Sequence, residues 1–257
     1  MTSPEPAVEP LAEDALLLRF GDGIDIETNA RVHAAARTLR KANLPGVTDI
    51  APAYASLLLR FEPLAWKHDA LIGTLRGILE AHDGVAPDSG SGPGALPRQV
   101  LRRDDEHETD TSGNAARVVE IPVCYGGDFG PDLEAVAAHA RMTPDAAIAH
   151  HATAEYTVAM LGFAPGFPYL LGLDPALHMT RRATPRTHVP AGSVGIGGAQ
   201  TGIYPCELPG GWQLIGRTPR VLFDPQREPP CLLAPGDKVR FRAIDGDEFE
   251  ALARPAT

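Results

Sequence analysis

VAMLGFAPGFPYLLGLDPALHMTRRATPRTHVPAGSVGIGGAQTGIYPCELPGGWQLIGRTP, residues 158–219, is a run of short apolar segments broken so often by Gly and Pro that no long helix passes through it. The pattern predicts a compact, turn-rich, largely β structure. With Tyr156 just upstream, the stretch concentrates large rings: Phe163, Phe167, Tyr169, Tyr204 and Trp212. Arg181, Arg182, Arg186 and Arg217 lie among them. Aromatic faces, cationic forks and closely approached backbone amides are what a small anionic or amide substrate needs.

Within the stretch, Gly162-Phe163-Ala164-Pro165-Gly166-Phe167-Pro168-Tyr169 reads as a rigid loop. Two prolines fix φ and two glycines permit left-handed turns, so the rings lose little entropy on binding. A well-packed aromatic corner satisfies the same residues. Arg181 to Thr187 supplies guanidinium forks for a carboxylate or phosphate, with a salt-bridged surface as the alternative. Val189 to Ile203 sets Gly192, Gly195, Gly197, Gly198 and Gly202 beside Ser193, Gln200 and Thr201, an arrangement whose backbone amides suit an oxyanion.

Better-known motifs are absent. Ala191-Gly192-Ser193-Val194-Gly195 lacks the first glycine of G-x-S-x-G, so Ser193 is a poor hydrolase nucleophile. Gly195-Ile196-Gly197-Gly198-Ala199-Gln200 has Gln where a dinucleotide fingerprint needs Gly, and no G-x-x-x-x-G-K-[ST] occurs. No cofactor is bound by a recognisable motif in this chain.

Downstream, Gly211–Arg217, Val221–Pro225, Leu232–Asp237 and Lys238–Phe241 give short strands between turns, the spacing of a barrel or sandwich. Gln213 and Arg217, four apart on one strand, are expected on the same face. Upstream, Val118–Val123 reads as a strand, Pro131 opens a short helix, and Thr143-Pro144-Asp145 caps another. That helix carries His151 and Glu155, expected to share a face. Two such groups make a weak metal site, and none is assigned.

The N-terminal part is expected to begin folding near Asp14. Ala15–Phe20 reads as a strand, and Val32, Ala35, Ala36 and Leu39 mark a helix from Asp25. Val47–Ala51 and Ser56–Phe61 follow as strands, then a helix from Lys67 to Ala81. The order β-α-β-β-α is most of a split βαβ sandwich, and nothing in it looks catalytic. His33, His68 and His82 are expected as exposed helix residues. Residues 83–116 are rich in Gly, Ser, Pro and charge and read as a flexible linker. The domains expected are therefore 1–82, a small α/β domain, and 117–257, a β domain.

A net charge of −10 argues against a nucleic-acid groove. No segment has the apolar length of a membrane span, and the N-terminus lacks a basic, apolar leader, so a cytoplasmic setting is expected. Cys124, Cys206 and Cys231 are scattered and form no C-x-x-C, which predicts small, mostly buried apolar residues rather than a disulfide or zinc framework.

Several long motifs, taken together, carry a family resemblance. They include Pro52-Ala53-Tyr54, Ile121–Gly127 with Phe129–Leu133, His151, Tyr156, Gly162–Leu170 and Pro185-Arg186. Val189–Val194, Gln200–Pro205, Gly210–Pro219 and Pro235-Gly236-Asp237 complete the set. The chain resembles the KipI/PxpB family, also labelled allophanate hydrolase subunit 1, from about residue 12 to 242; segment 83–116 is longer than that pattern. The resemblance implies an α+β fold: a small α/β sandwich N-terminal domain followed by a cyclophilin-like β-barrel domain. It implies the PxpB-type component of an ATP-dependent 5-oxoprolinase that opens the 5-oxoproline lactam to glutamate, inactive alone, with a KipA/PxpC-like subunit and a PxpA-like subunit as partners and ATP used by the complex. Two alternatives within the resemblance are an inhibitor of a sensor histidine kinase and half of a urea/allophanate-type carboxyltransferase. On the oxoprolinase reading Arg186 and Arg217 take the substrate anion and Gln200 and Gln213 its amide. Phe167, Tyr169 and Trp212 form the walls, Thr201 contributes to substrate binding, and His151 acts as a proton shuttle if it reaches the pocket.

Overall fold

A computed structural model describes residues 5–83 and 117–254, and the expected linker lies almost wholly outside them. The N-terminal unit is a four-stranded antiparallel sheet of order β1-β2-β4-β3. Its strands are β1 (Ala7–Ala12), β2 (Ala15–Arg19), β3 (Val47–Pro52) and β4 (Ser56–Phe61). The helices are α1 (Ile26–Ala42) and α2 (His68–Asp83). Asp25 caps α1 by accepting from the Thr28 amide at 2.7 Å, and Asn43 ends it in the left-handed conformation at φ 46°. Leu16, Leu18, Leu57 and Leu59 alternate inward from the strands to meet Val32, Ala36, Leu39, Leu71 and Leu75 from the helices, all fully or nearly fully buried. Strand β1 falls in the Pro-rich start that the sequence assigns to no element. It is mostly exposed and gains its place by pairing along β2, which apolar patterning does not register.

The second unit is a closed barrel of seven strands. These are β5 (Val118–Tyr125), β6 (Glu155–Leu161), β7 (Pro168–Leu171), β9 (Ser193–Gly197), β10 (Gln200–Ile203), β12 (Gln213–Arg217) and β13 (Lys238–Ile244). Around the barrel the order is β10-β7-β6-β13-β5-β12-β9. All neighbours are antiparallel except β5 and β13, which run parallel. A separate two-stranded ribbon pairs β8 (Arg186–Val189) with β11 (Leu208–Gly210). Helices α3 (Leu133–His139), α4 (Pro144–Thr153) and α5 (Gly246–Ala253) complete the described chain. The α+β architecture, a small α/β unit followed by a β-barrel, is thus what the chain forms. The interior is filled by Ile121, Val123, Val158, Leu170, Val194, Ile196, Ile203, Ile215, Val239 and Phe241.

Several local expectations differ from the structure, among them the strands expected over Val221–Pro225 and Leu232–Asp237, where only an isolated bridge joins Phe223 to Cys231. Helix α4 stops at Thr153, and Glu155 begins β6, where it pairs with Arg240 at 2.8 Å; it shares no helical face with His151. On β12, Leu214 stands opposite Gly195 and Gly216 opposite Val194, so Ile215 is an extra, bulged residue. The bulge reverses alternation, which puts Gln213 and Arg217 on opposite faces. His33 is buried at 6% exposure, against the turn containing Gly236, rather than exposed. Of the cysteines, Cys124 is buried while Cys206 is exposed.

Candidate functional site

Strand parity sorts the site residues. On β10, Thr201 and Ile203 point into the barrel, so Gln200 and Gly202 point outward. On β9, Val194 and Ile196 point inward, leaving Gly195 and Gly197 outward. The registers Gly202↔Gly195 and Gln200↔Gly197 set these outward positions side by side, with Tyr169 of β7 opposite Gly202 on the other flank. The outer face is therefore paved with glycine, and Trp212 lies on the paving. A Cβ built at Gly197 would come within 2.6 Å of Trp212 Cε2, and one at Gly202 within 3.0 Å of Trp212 Cζ3. Of the glycines expected to bare amides for an oxyanion, Gly195, Gly197 and Gly202 instead make a floor for an indole.

Around that indole the rings form a box. Phe167 packs edge-on to Trp212 at 5.6 Å and to Tyr204 at 5.2 Å, and Tyr169 meets Trp212 at 5.8 Å. Leu214, Val189 and Leu208 close the box beneath the β8–β11 ribbon. The Arg181 guanidinium sits 5.7 Å over the Trp212 ring. Phe163, held at φ 69° and 62% exposed, stands at the rim against Phe167. Burial raises the Tyr204 phenol, opposed by the Trp212 backbone and by the charges of Arg181 and Arg186.

Asp132, at the start of α3, organises the cationic side. It is 6% exposed; its Oδ1 accepts from Arg186 Nη2 at 2.9 Å and Arg182 Nη1 at 3.1 Å, and its Oδ2 from the Leu214 amide at 2.7 Å. Pinned to the barrel wall, the carboxylate aims two guanidiniums at one edge of the box. Arg186 Nη1 is buried with no partner among the described residues. Gln200, 8% exposed, lies on the same outer face, and its amide, which makes no hydrogen bond among the described residues, still reaches solvent. A buried polar atom without a partner, such as Arg186 Nη1, costs stability unless something satisfies it, and ligand binding is one such purpose.

Four nominated residues lie elsewhere. His151 is fully buried inside the barrel, stacked on Phe241 at 4.5 Å. Thr201 Oγ1 donates to Gly195 O at 3.0 Å, so it accepts from His151 Nε2–H at 3.0 Å, and Tyr125 Oη donates to His151 Nδ1 at 2.8 Å. Burial lowers the His151 pKa to about 3, so the ring is neutral and both nitrogens are committed. Gln213 faces inward at the end of the barrel and donates to Thr180 O at 2.9 Å. Arg217 faces outward at the other end of β12, its Nε donating to Ala191 O at 2.8 Å and its guanidinium 6.0 Å from the Phe249 ring of α5. Phe167, Tyr169, Trp212, Arg186 and Gln200 are brought together; His151, Thr201, Gln213 and Arg217 are not.

Asp132 and Tyr54 adjoin the candidate site without having been nominated from the sequence. Asp132 belongs to the Phe129–Leu133 segment but carries no spacing signal toward Arg186, 54 residues away. Tyr54, from the unit in which nothing looked catalytic, packs edge-on to Tyr169 at 5.9 Å.

The family model described as carboxyltransferase domain, subdomain C and D, matches residues 6–233. The chain is 43% identical over 245 residues to a Bacillus subtilis protein named as a component of 5-oxoprolinase, an alignment covering 95% of each. Among solved structures, TTHA0988 superposes with a TM-score of 0.70 at 37% identity, over 91% of this chain and 40% of that longer one. K. lactis urea amidolyase, 21% identical, shares the fold at a TM-score of 0.68 over 98% of this chain and 15% of its own.

Proposed function

The chain belongs to the family of carboxyltransferase domains, subdomains C and D, and from that premise we propose that it is the PxpB-type component of an ATP-dependent 5-oxoprolinase. The observation that carries the reading is the 43% identity with the Bacillus subtilis oxoprolinase component, sustained across 95% of both chains. The reaction opens the 5-oxoproline lactam to glutamate. Amide resonance protects the ring, so ATP is needed to activate the carbonyl: its oxygen attacks the γ-phosphorus and ADP leaves. Water then adds to the carbon and the ring C–N bond breaks with nitrogen taking a proton, which leaves an acyl phosphate; a second water hydrolyses it, releasing phosphate and the free carboxylate.

This chain's part is to hold the ring. The uncommitted Nη1 of Arg186 receives the substrate carboxylate, the Gln200 amide faces the lactam, and Phe167, Tyr169 and Trp212 supply the aromatic walls. His151 and Thr201 stiffen the wall behind that floor and exchange no proton with substrate. The complex that uses ATP comprises this chain with a KipA/PxpC-like and a PxpA-like subunit. The need for ATP favours a cytoplasmic setting.

With the complex reconstituted from all three subunits, Arg186→Ala should lower oxoproline-dependent ATP hydrolysis by about tenfold or more, the usual cost of a lost charged hydrogen bond, while assembly persists. Unchanged hydrolysis would overturn the assignment. The family description also favours a second reading, carboxyl transfer to an amide. That reading requires a biotin carrier on another polypeptide, and biotin-dependent turnover without oxoproline dependence would select it.

A further inference from the structure

We infer that Tyr54 is a ligand contact supplied by the N-terminal unit, its hydroxyl closing the aromatic box over a small ring that carries both an amide carbonyl and a carboxylate. This rests on the oxoprolinase reading and extends the site across both units of the chain.

Tyr54 sits on the turn between β3 and β4, and the turn is fastened. Asn29 of α1, 1% exposed, donates through Nδ2 to Ala53 O and Tyr54 O, each at 3.1 Å. The same nitrogen lies 3.4 Å from Ala159 O on β6 of the barrel. One buried amide thus ties the turn to its own unit and to the barrel. From there the Tyr54 ring meets Tyr169, itself against Phe167 and Trp212.

The hydroxyl is the informative atom. Tyr54 Oη is buried and has no hydrogen-bond partner among the described residues, although phenol groups removed from water almost always find one. Its surroundings are the Tyr169 hydroxyl and the Arg181 guanidinium, the latter also over Trp212. Burial raises its pKa, which keeps the group protonated and able to donate. Two buried polar atoms without partners among the described residues, the Tyr54 hydroxyl and Arg186 Nη1, therefore border one ring box, with the Gln200 amide on the same outer face. A donor, a donor–acceptor amide and a guanidinium together match a lactam carbonyl, its N–H and a carboxylate. An apolar ligand would satisfy none of them.

The test is Tyr54→Phe, which retains the ring against Tyr169 and removes only the oxygen. In the reconstituted three-subunit complex, KM for 5-oxoproline should rise about tenfold with kcat little changed, the signature of a binding contact. The thermal midpoint of the variant without ligand should equal or exceed that of the wild type, because an unsatisfied buried hydroxyl has been removed. An unchanged KM overturns the inference while leaving the oxoprolinase reading intact. A fall in the midpoint with unchanged KM does so too, by showing that the hydroxyl serves the fold. A wild-type complex with no oxoproline response overturns the underlying reading itself.

Discussion

His151 shows how one buried side chain affects stability without chemistry. Burial holds its pKa near 3 in the folded protein, whereas the unfolded chain has the ordinary histidine value of about 6.5. Between those values the unfolded state binds the proton and the folded state does not, so acidification favours unfolding. The slope is about 1.4 kcal/mol per pH unit at full effect. Burial also lowers the pKa of His33, which acts in the same direction. Urea unfolding of the wild type should therefore lose stability between about pH 6.5 and pH 5, and His151→Gln should show that slope reduced by about one proton while starting from lower stability. Equal slopes in the two proteins would mean that His151 is protonated in the fold. Arg186 and Gln200 could be nominated from the sequence because forks and amides are chemically suggestive wherever they fall. Asp132 could not, because an acid that aims two arginines looks like any other acid before the chain closes.

Strand β12 shows where reading by element fails. Its apolar pattern and its place in a barrel were legible, but a single bulged residue, Ile215, reverses the alternation and separates Gln213 from Arg217. Sequence alternation assumes an unbroken pleat, and a bulge leaves no compositional mark. Glycine is similarly ambiguous. Gly195, Gly197 and Gly202 read as exposed amides, yet they are buried paving beneath Trp212. Gly73 and Gly77, both exposed on α2, would have nothing within 4 Å of an added Cβ. Gly77→Ala should raise stability by about 0.5–1 kcal/mol through helix propensity. Gly197→Ala should cost about 1–3 kcal/mol by overpacking and shift the tryptophan emission as the indole is displaced. Chemical denaturation followed by fluorescence measures both, and a neutral Gly197→Ala would contradict the paving.

At the scale of the molecule, the order of helices and strands was readable because each core repeats its own period, 3.6 in α1 and α2 and two in the strands. The two cores share no residue. Their seam was not readable, because Asn29 meets Ala159 across 130 positions and Tyr54 meets Tyr169 with no periodicity linking them. The seam matters because the outer face of the barrel, rather than its filled interior, carries the box of rings and its unsatisfied polar edge. Gln200 probes that claim with little structural disturbance, since it is 8% exposed, lies on the outer face and makes no hydrogen bond among the described residues. The deciding measurement is oxoproline-dependent ATP hydrolysis by the reconstituted complex carrying Gln200→Leu, paired with its urea midpoint. The predicted result is a loss of activity of about tenfold or more in a chain about as stable as the wild type, because a binding group is lost while no hydrogen bond of the fold is broken. Full activity in a stable Gln200→Leu variant would contradict a binding site on this face.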